Sequence, residues 1–216
     1  YIHTRGEGSK DTLQGLKRTG AETLIIVEGD LDALHAQIRG ARNVAATMGG
    51  EIRLPQVEDA LKKGYKNFIL LFDNDERGRG FIPKSISNIE SKGGRVFVSA
   101  LPDGVKDTDE YLATHSGEEW KTEVEKNALP ACLRRLWEGM EKFPKGEITL
   151  LNRVKITDFF RELIKKTPLE DRELLRKNLA PYAESLLIGT KDLEEIFLQA
   201  EATLREKNRA TLLQET

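Results

Sequence analysis

Cysteine is nearly absent: of 216 residues only Cys132 carries a thiol. That excludes an internal disulfide and a cysteine-ligated zinc site, and its setting among helix formers marks it as a packed core thiol. Long apolar runs are missing too. None approaches the ~20 residues that a membrane-spanning helix needs, and no signal-peptide pattern opens the chain. The expected compartment is therefore cytoplasmic, with no membrane partner. A dominant charge is also missing. Lys and Arg number 34 and Asp and Glu 36, for a net charge of −2. This excludes a generic basic mat for nucleic acid, but not a nucleic-acid enzyme whose metal ions offset an acidic site. The first residue is Tyr1 rather than methionine, which reads as a piece of something longer. A hydrophobic share of 38% beside 32% charged residues fits a globular protein with much solvated helix. The length suits one large domain or two small ones.

What the chain does have is Phe68-Ile69-Leu70-Leu71-Phe72-Asp73-Asn74-Asp75. A short apolar run, ended by polar residues and the pair Gly78 and Gly80, reads as a buried strand. Asp73 and Asp75 then leave its carboxyl end, where open α/β sheets place their ligands. Two anions one residue apart repel, and a divalent cation is the usual functional reason to keep them together. Capping of the following helix is the competing reading for either aspartate. A calcium loop is excluded, because its fifth and twelfth positions fall on Arg77 and Lys84 rather than on oxygen donors.

The same rhythm extends in both directions. Strands are predicted at 23–27, 43–47, 68–72 and 95–100, with helices at 30–39, 54–63 and 82–92 between them. This alternation implies parallel βαβ units with right-handed crossovers. The strands' carboxyl ends then share one edge. Glu28, with Asp30 and Asp32 behind it, follows the first strand, and Asp73 and Asp75 follow the third. The stretch Leu101-Pro102-Asp103-Gly104-Val105-Lys106-Asp107-Thr108-Asp109-Glu110 follows the fourth. Acids scattered over a surface would not favour those ends.

Beyond Tyr111 the pattern turns helical. Ser116-Gly117-Glu118-Glu119 reads as a capping box. Four or five helices are predicted from there to the end, with Ile156, Phe159, Phe160, Leu163 and Ile164 on one helical face. The expected organisation is an entry segment over 1–20, an α/β domain over 21–115 and a helical subdomain over 116–216.

These residues carry a resemblance. Glu28-Gly29-x-x-Asp32 and Asp73-Asn74-Asp75 look like the two acidic motifs of the Toprim domain, the metal-binding module of bacterial-type primases, topoisomerases and some nucleases. The likeness is greatest to bacterial DNA primases, replicative or carried by mobile elements. Their L-P-x-G-K-D-x-D-E motif is similar to residues 101–110. Met48-Gly49 stands where the family often has a glycine turn, and Lys10-x-x-Leu13-x-Gly15-Leu16 is similar to the segment that leads into the primase sheet. This chain departs from the pattern at Val105, an insertion, at Thr108 in place of proline, at Asn74 in place of glycine, and at Arg77 in place of a small residue.

The resemblance implies a parallel four-stranded Toprim sheet flanked by helices and followed by an all-helical subdomain. It also implies nucleotidyl transfer: short RNA primers made from ribonucleoside triphosphates on a single-stranded DNA template, with Mg2+ or Mn2+ as cofactor. Glu28, Asp73 and Asp75 are the expected catalytic residues. Glu28, Asp73, Asp75, Asp107 and Asp109 are the expected metal ligands, with Glu28 either a ligand or the general acid/base, and Asp32 supports the rim. Arg77, Arg79 and Lys106 are candidates to hold triphosphate oxygens, against a solvated-face reading for each, and Lys10 is similar to a basic residue lining the template groove. A replicative helicase is the implied protein partner, through a domain outside this sequence. Such a fragment is expected to bind metal yet make little primer alone. Another Toprim enzyme, a topoisomerase or nuclease fragment, and a non-catalytic Toprim module remain the alternatives.

Overall fold

The computed structural model describes residues 11–102, 104–105, 107–143, 149–185 and 189–214. Two compact units follow one another along the chain, dividing between Ala131 and Cys132.

The first unit is built on the strands β1 (Thr23–Val27), β2 (Val44–Ala46), β3 (Asn67–Leu71), β4 (Arg95–Val98) and β5 (Leu129–Pro130). Their spatial order is β2-β1-β3-β4-β5. The first four are parallel, and the register pairs Val27 with both Ala46 and Leu71. The fifth is a two-residue antiparallel addition pairing with Phe97 and Val98. It is too short and too rich in helix-compatible neighbours to be legible as a strand.

The central strands are apolar at nearly every position because both faces are covered. Leu24, Ile26, Phe68, Leu70, Val96 and Val98 form one core with residues of α2 (Leu54–Lys62) and α3 (Glu76–Ser91), among them Val57, Ala60, Ile82, Ile86 and Ile89. Ile25, Val27, Ile69 and Leu71 form the opposite core with α1 (Asp30–Ile38), α4 (Thr108–Leu112) and α5 (Gly117–Lys126), through Ala33, Ala36, Leu112, Trp120 and Val124.

Two boundaries differ from the sequence reading. The helix expected from residue 82 begins at Glu76, because Asp75 caps it and Gly78 lets its first turn close on the strand end. Gly78 and Gly80 therefore lie inside α3 rather than in a breaker loop. The domain boundary expected at 115/116 lies instead after Ala131. Residues 116–126 stay with the sheet because Trp120 and Val124 are fully buried there and the Gly117 amide donates to the Arg39 carbonyl (3.1 Å).

The capping box at the start of α5 is present. Ser116 Oγ accepts from the Glu119 amide (3.2 Å), and Glu119 Oε2 accepts from the Ser116 amide (2.8 Å). Ser116→Ala is expected to cost about 1 kcal/mol, read as a lower urea midpoint at constant slope. An unchanged midpoint would remove the box as a stabilising feature.

The second unit is helical, from α6 (Ala131–Met140) through α7 (Leu150–Lys166), α8 (Leu169–Ser185) and α9 (Thr190–Gln214). The predicted face of α7 is the one that packs: Ile156, Phe160, Leu163 and Ile164 are buried against Leu175, Leu179, Ile196 and Phe197, with Phe159 partly buried beside them. Cys132 is buried in this core, and burial pushes its thiol up to about 12. It is an inert packed group, as its neighbours in sequence indicate. Among the described residues no helix is long and apolar enough to cross a membrane.

Candidate metal centre

The strand order places a topological switch point between β1 and β3. The chain leaves β1 toward β2 on one side, then returns to β3 on the other. Crossovers diverge there and open a crevice at the strands' carboxyl ends, where ligands of doubly wound sheets lie. Glu28 follows β1 and Asp73 follows β3 at that point.

Glu28 is 9% exposed. Its carboxyl is raised above the ordinary carboxylate range, first by burial and then by the negative charge of Asp73; Arg77 lowers it and Asp75 raises it. Arg77 Nε stands 3.8 Å from Glu28 Oε1, and its guanidinium lies within 5.7 Å of the Phe81 ring. The Glu28 carbonyl accepts from both the Met48 and Gly49 amides (3.1 Å each), so the turn after β2 grips the residue from behind. Met48 has φ 68°, an uncommon left-handed backbone for a side-chain-bearing residue.

Asp32 explains the Glu-Gly-x-x-Asp spacing. It lies in the first turn of α1, and its Oδ2 lies 2.5 Å from where a Cβ on residue 29 would stand. Only glycine leaves that carboxylate its place without displacement. The Asp32 carboxyl is pushed up to about 6, first by burial and then by Asp73, Asp109 and Asp107, while a hydrogen bond from the Asp109 backbone pulls the other way. Asp32 thus links the ends of β1, β3 and β4.

Asp75 and Asp107 do cap helices. Asp75 Oδ1 accepts from the Gly78 amide (2.7 Å) at the start of α3, and Asp107 Oδ1 accepts from the Glu110 amide (2.9 Å) at the start of α4. The capping reading and the ligand reading are compatible, because a carboxylate has a second oxygen and about four lone-pair sites. The caps fix the direction in which that second oxygen can be presented. Asp109 Oδ1 lies 2.7 Å from His35 Nδ1. His35 was not singled out in the sequence, although Asp32-x-x-His35 puts the two on one face of α1. Arg79 Nη1 donates to the Asn74 carbonyl and side-chain oxygen, both at 3.4 Å. Lys10 and Lys106 lie outside the described residues.

Asp73 is the common element: its charge acts on both Glu28 and Asp32, while Asp75 acts on Glu28 and Asp107 and Asp109 act on Asp32. Among the described residues no three His, Cys, Asp or Glu side chains stand close enough to form a ready-made cage. The donor set still fits magnesium or manganese: every donor is a hard carboxylate oxygen, and Mg2+ keeps several waters and takes only one or two carboxylates. Thr47, one residue from that grip on Glu28, has a buried hydroxyl oxygen with no hydrogen-bond partner among the described residues.

Residues 25–112 match a family described as Toprim-like. Over 97 residues the chain is 31% identical to a DNA primase of Staphylococcus aureus (strain COL), a match covering 45% of this chain and 16% of that enzyme. The chain thus spans only a small fraction of that relative's length. The structure of a DnaG catalytic core superposes with a TM-score of 0.69 at 20% identity, over 91% of this chain and 62% of that one. A DnaG primase catalytic domain bound to single-stranded DNA superposes with a TM-score of 0.62 at 21% identity, over 74% and 52%. At these identities the structural likeness is one of fold.

Proposed function

We propose that residues 25–112, which match a Toprim-like family, belong to a primase catalytic core like those this chain resembles, making short RNA primers on single-stranded DNA. The observation that supports this is that Glu28 and Asp73 leave β1 and β3 at the switch point, with the charge of Asp73 also felt by Asp32 beside Asp107 and Asp109. The single-stranded DNA bound by the structurally similar primase domain supports the choice of template.

Asp73, Asp75, Asp107 and Asp109 would hold the divalent ions, with Glu28 beside them. Bound there, the ions lower the pKa of a primer 3′-hydroxyl and offset the charge of the leaving pyrophosphate. The 3′-oxygen attacks the α-phosphorus of a ribonucleoside triphosphate, and the bond from that phosphorus to the β-bridging oxygen breaks. Glu28, whose proton affinity burial raises, serves there either as a further ligand or as the group that accepts the hydroxyl proton. Asp32 stays behind the ligands and orients the α1 end of the rim. Arg77 is exposed and only loosely engaged with Glu28, so it is free to swing toward triphosphate oxygens, with Arg79 next to it. Lys106 and Lys10 would add to the phosphate and template contacts. A cytoplasmic setting and a replicative helicase partner complete this reading.

Labelled ribonucleotides and a single-stranded template test it. Incorporation is expected to need both the template and Mg2+ or Mn2+, and to disappear in Asp73→Asn. The isolated chain is expected to incorporate weakly, because it spans a small part of its relatives. Metal-dependent nicking of plasmid, with no incorporation, would overturn the primase reading in favour of a nuclease or topoisomerase of the same domain family.

A further inference from the structure

Thr47 follows β2 directly, with a hydroxyl that no other described residue engages. The residue is 8% exposed, and Oγ1 is sealed from solvent with no hydrogen-bond partner among the described residues. A buried hydroxyl without a partner is costly and rare, and it calls for a cause.

The register supplies one. Val27 pairs with Ala46, and the pairing runs on through the Thr47 amide to the Val27 carbonyl (3.1 Å) and the Met48 amide to the Glu28 carbonyl (3.1 Å). Side chains alternate along a strand. Thr47 and Glu28 therefore follow Ala45 and Ile26 onto the same face, on neighbouring strands. The Thr47–Gly49 turn already holds the Glu28 backbone with two donors, and it does so through the left-handed Met48. Strain kept at such a turn is tolerated where the surroundings over-determine it. The Glu28 carboxylate faces the Arg77 guanidinium at 3.8 Å.

We propose that Thr47 is a positioning residue for Glu28: its hydroxyl donates to the Glu28 carboxylate when that group turns to a bound divalent ion. The proposal rests on the metal-centre reading and deepens it. Threonine suits the place because its hydroxyl adds a donor without adding a charge, and its methyl group fills the β-branched strand position beside the core.

The test uses Mn2+ alone, with the whole chain, in wild type, Thr47→Val, Thr47→Ser and Glu28→Gln. Thr47→Val keeps the shape and removes the hydroxyl. Without metal, its melting temperature is expected to equal or exceed that of wild type, since an unsatisfied polar atom is gone. Its Mn2+ affinity, by calorimetry or electron paramagnetic resonance, is expected to fall roughly tenfold, the size of one hydrogen bond to a charged group. Thr47→Ser restores it, and Thr47→Val has no further effect in a Glu28→Gln background. Mn2+ affinity unchanged in Thr47→Val overturns the role of Thr47 and leaves the metal centre standing. A wild-type chain with no Mn2+ response removes the metal centre itself, and the role of Thr47 with it.

Discussion

Replacing Gly78 with alanine is expected to destabilise the sheet unit by roughly 2–3 kcal/mol, the size of a serious overpacking. A Cβ there would lie 2.3 Å from the Asp73 carbonyl oxygen and 3.0 Å from its amide nitrogen. Both are backbone atoms and cannot swing away. The first turn of α3 would have to retreat, and with it the Gly78 amide that donates to Asp75 Oδ1. The Asp73-Asn74-Asp75 corner would then lose its geometry, so Mn2+ affinity is expected to fall together with stability. The sign discriminates. In an ordinary helix interior Gly→Ala gains up to about 1 kcal/mol. Gly80, two residues on in the same helix, has nothing within 4 Å of its Cβ position. Gly80→Ala is expected to raise the urea midpoint while Gly78→Ala lowers it. If both raise it, the close approach of α3 to Asp73 is not a constraint in solution.

Asp73→Asn is expected to act in opposite directions on affinity and on stability. With Mn2+ present, loss of a ligand charge at the centre of the rim weakens binding by tenfold or more. Without metal, the same change relieves Glu28 and Asp32, both of which bind protons more tightly in the field of Asp73. For Asp32 the folded carboxyl titrates at about 6, against an ordinary value of 3.8. Between those values the native state holds more protons than the unfolded one. Stability therefore falls as pH rises from about 4 to about 6, by at most roughly 2–3 kcal/mol for this one group. Urea unfolding in chelator, from pH 4.5 to 7, is expected to show this decline in wild type and a shallower one in Asp73→Asn. Asp32→Asn should flatten it further. A decline of equal depth in wild type and both variants would mean that these carboxylates do not share a field. Added Mn2+ should reverse the wild-type trend, because a bound cation favours the charged forms.

The sequence by itself determined a good deal. A strand buried on both faces must be apolar at almost every position, so Leu24–Val27 and Phe68–Leu71 announce themselves. Alternation with helices makes the sheet parallel, and the acids at the strand ends are visible as abrupt changes of polarity. The helical face of α7 was legible for the same reason, since burial on one side imposes the 3.6-residue period. Local capping chemistry, as at Ser116, is written in four consecutive residues.

Tertiary structure alone decided the rest. Strand order is a matter of long-range packing, and only the order β2-β1-β3-β4 makes the gap between Glu28 and Asp73 a switch point. The early start of α3 depends on a glycine meeting a backbone carbonyl, a contact that no local propensity encodes. Trp120 binds α5 to the sheet, and so moves the domain boundary, by filling a core whose other walls come from distant segments. His35 and Thr47 escaped the sequence reading because each draws its meaning from a residue on another element: Asp109 lies 74 positions from His35, and Glu28 lies across a strand pair from Thr47. A carboxylate's place at a strand end is a local property. Which oxygen it can offer, and how strongly its neighbours oppose its charge, are set only when the chain closes on itself.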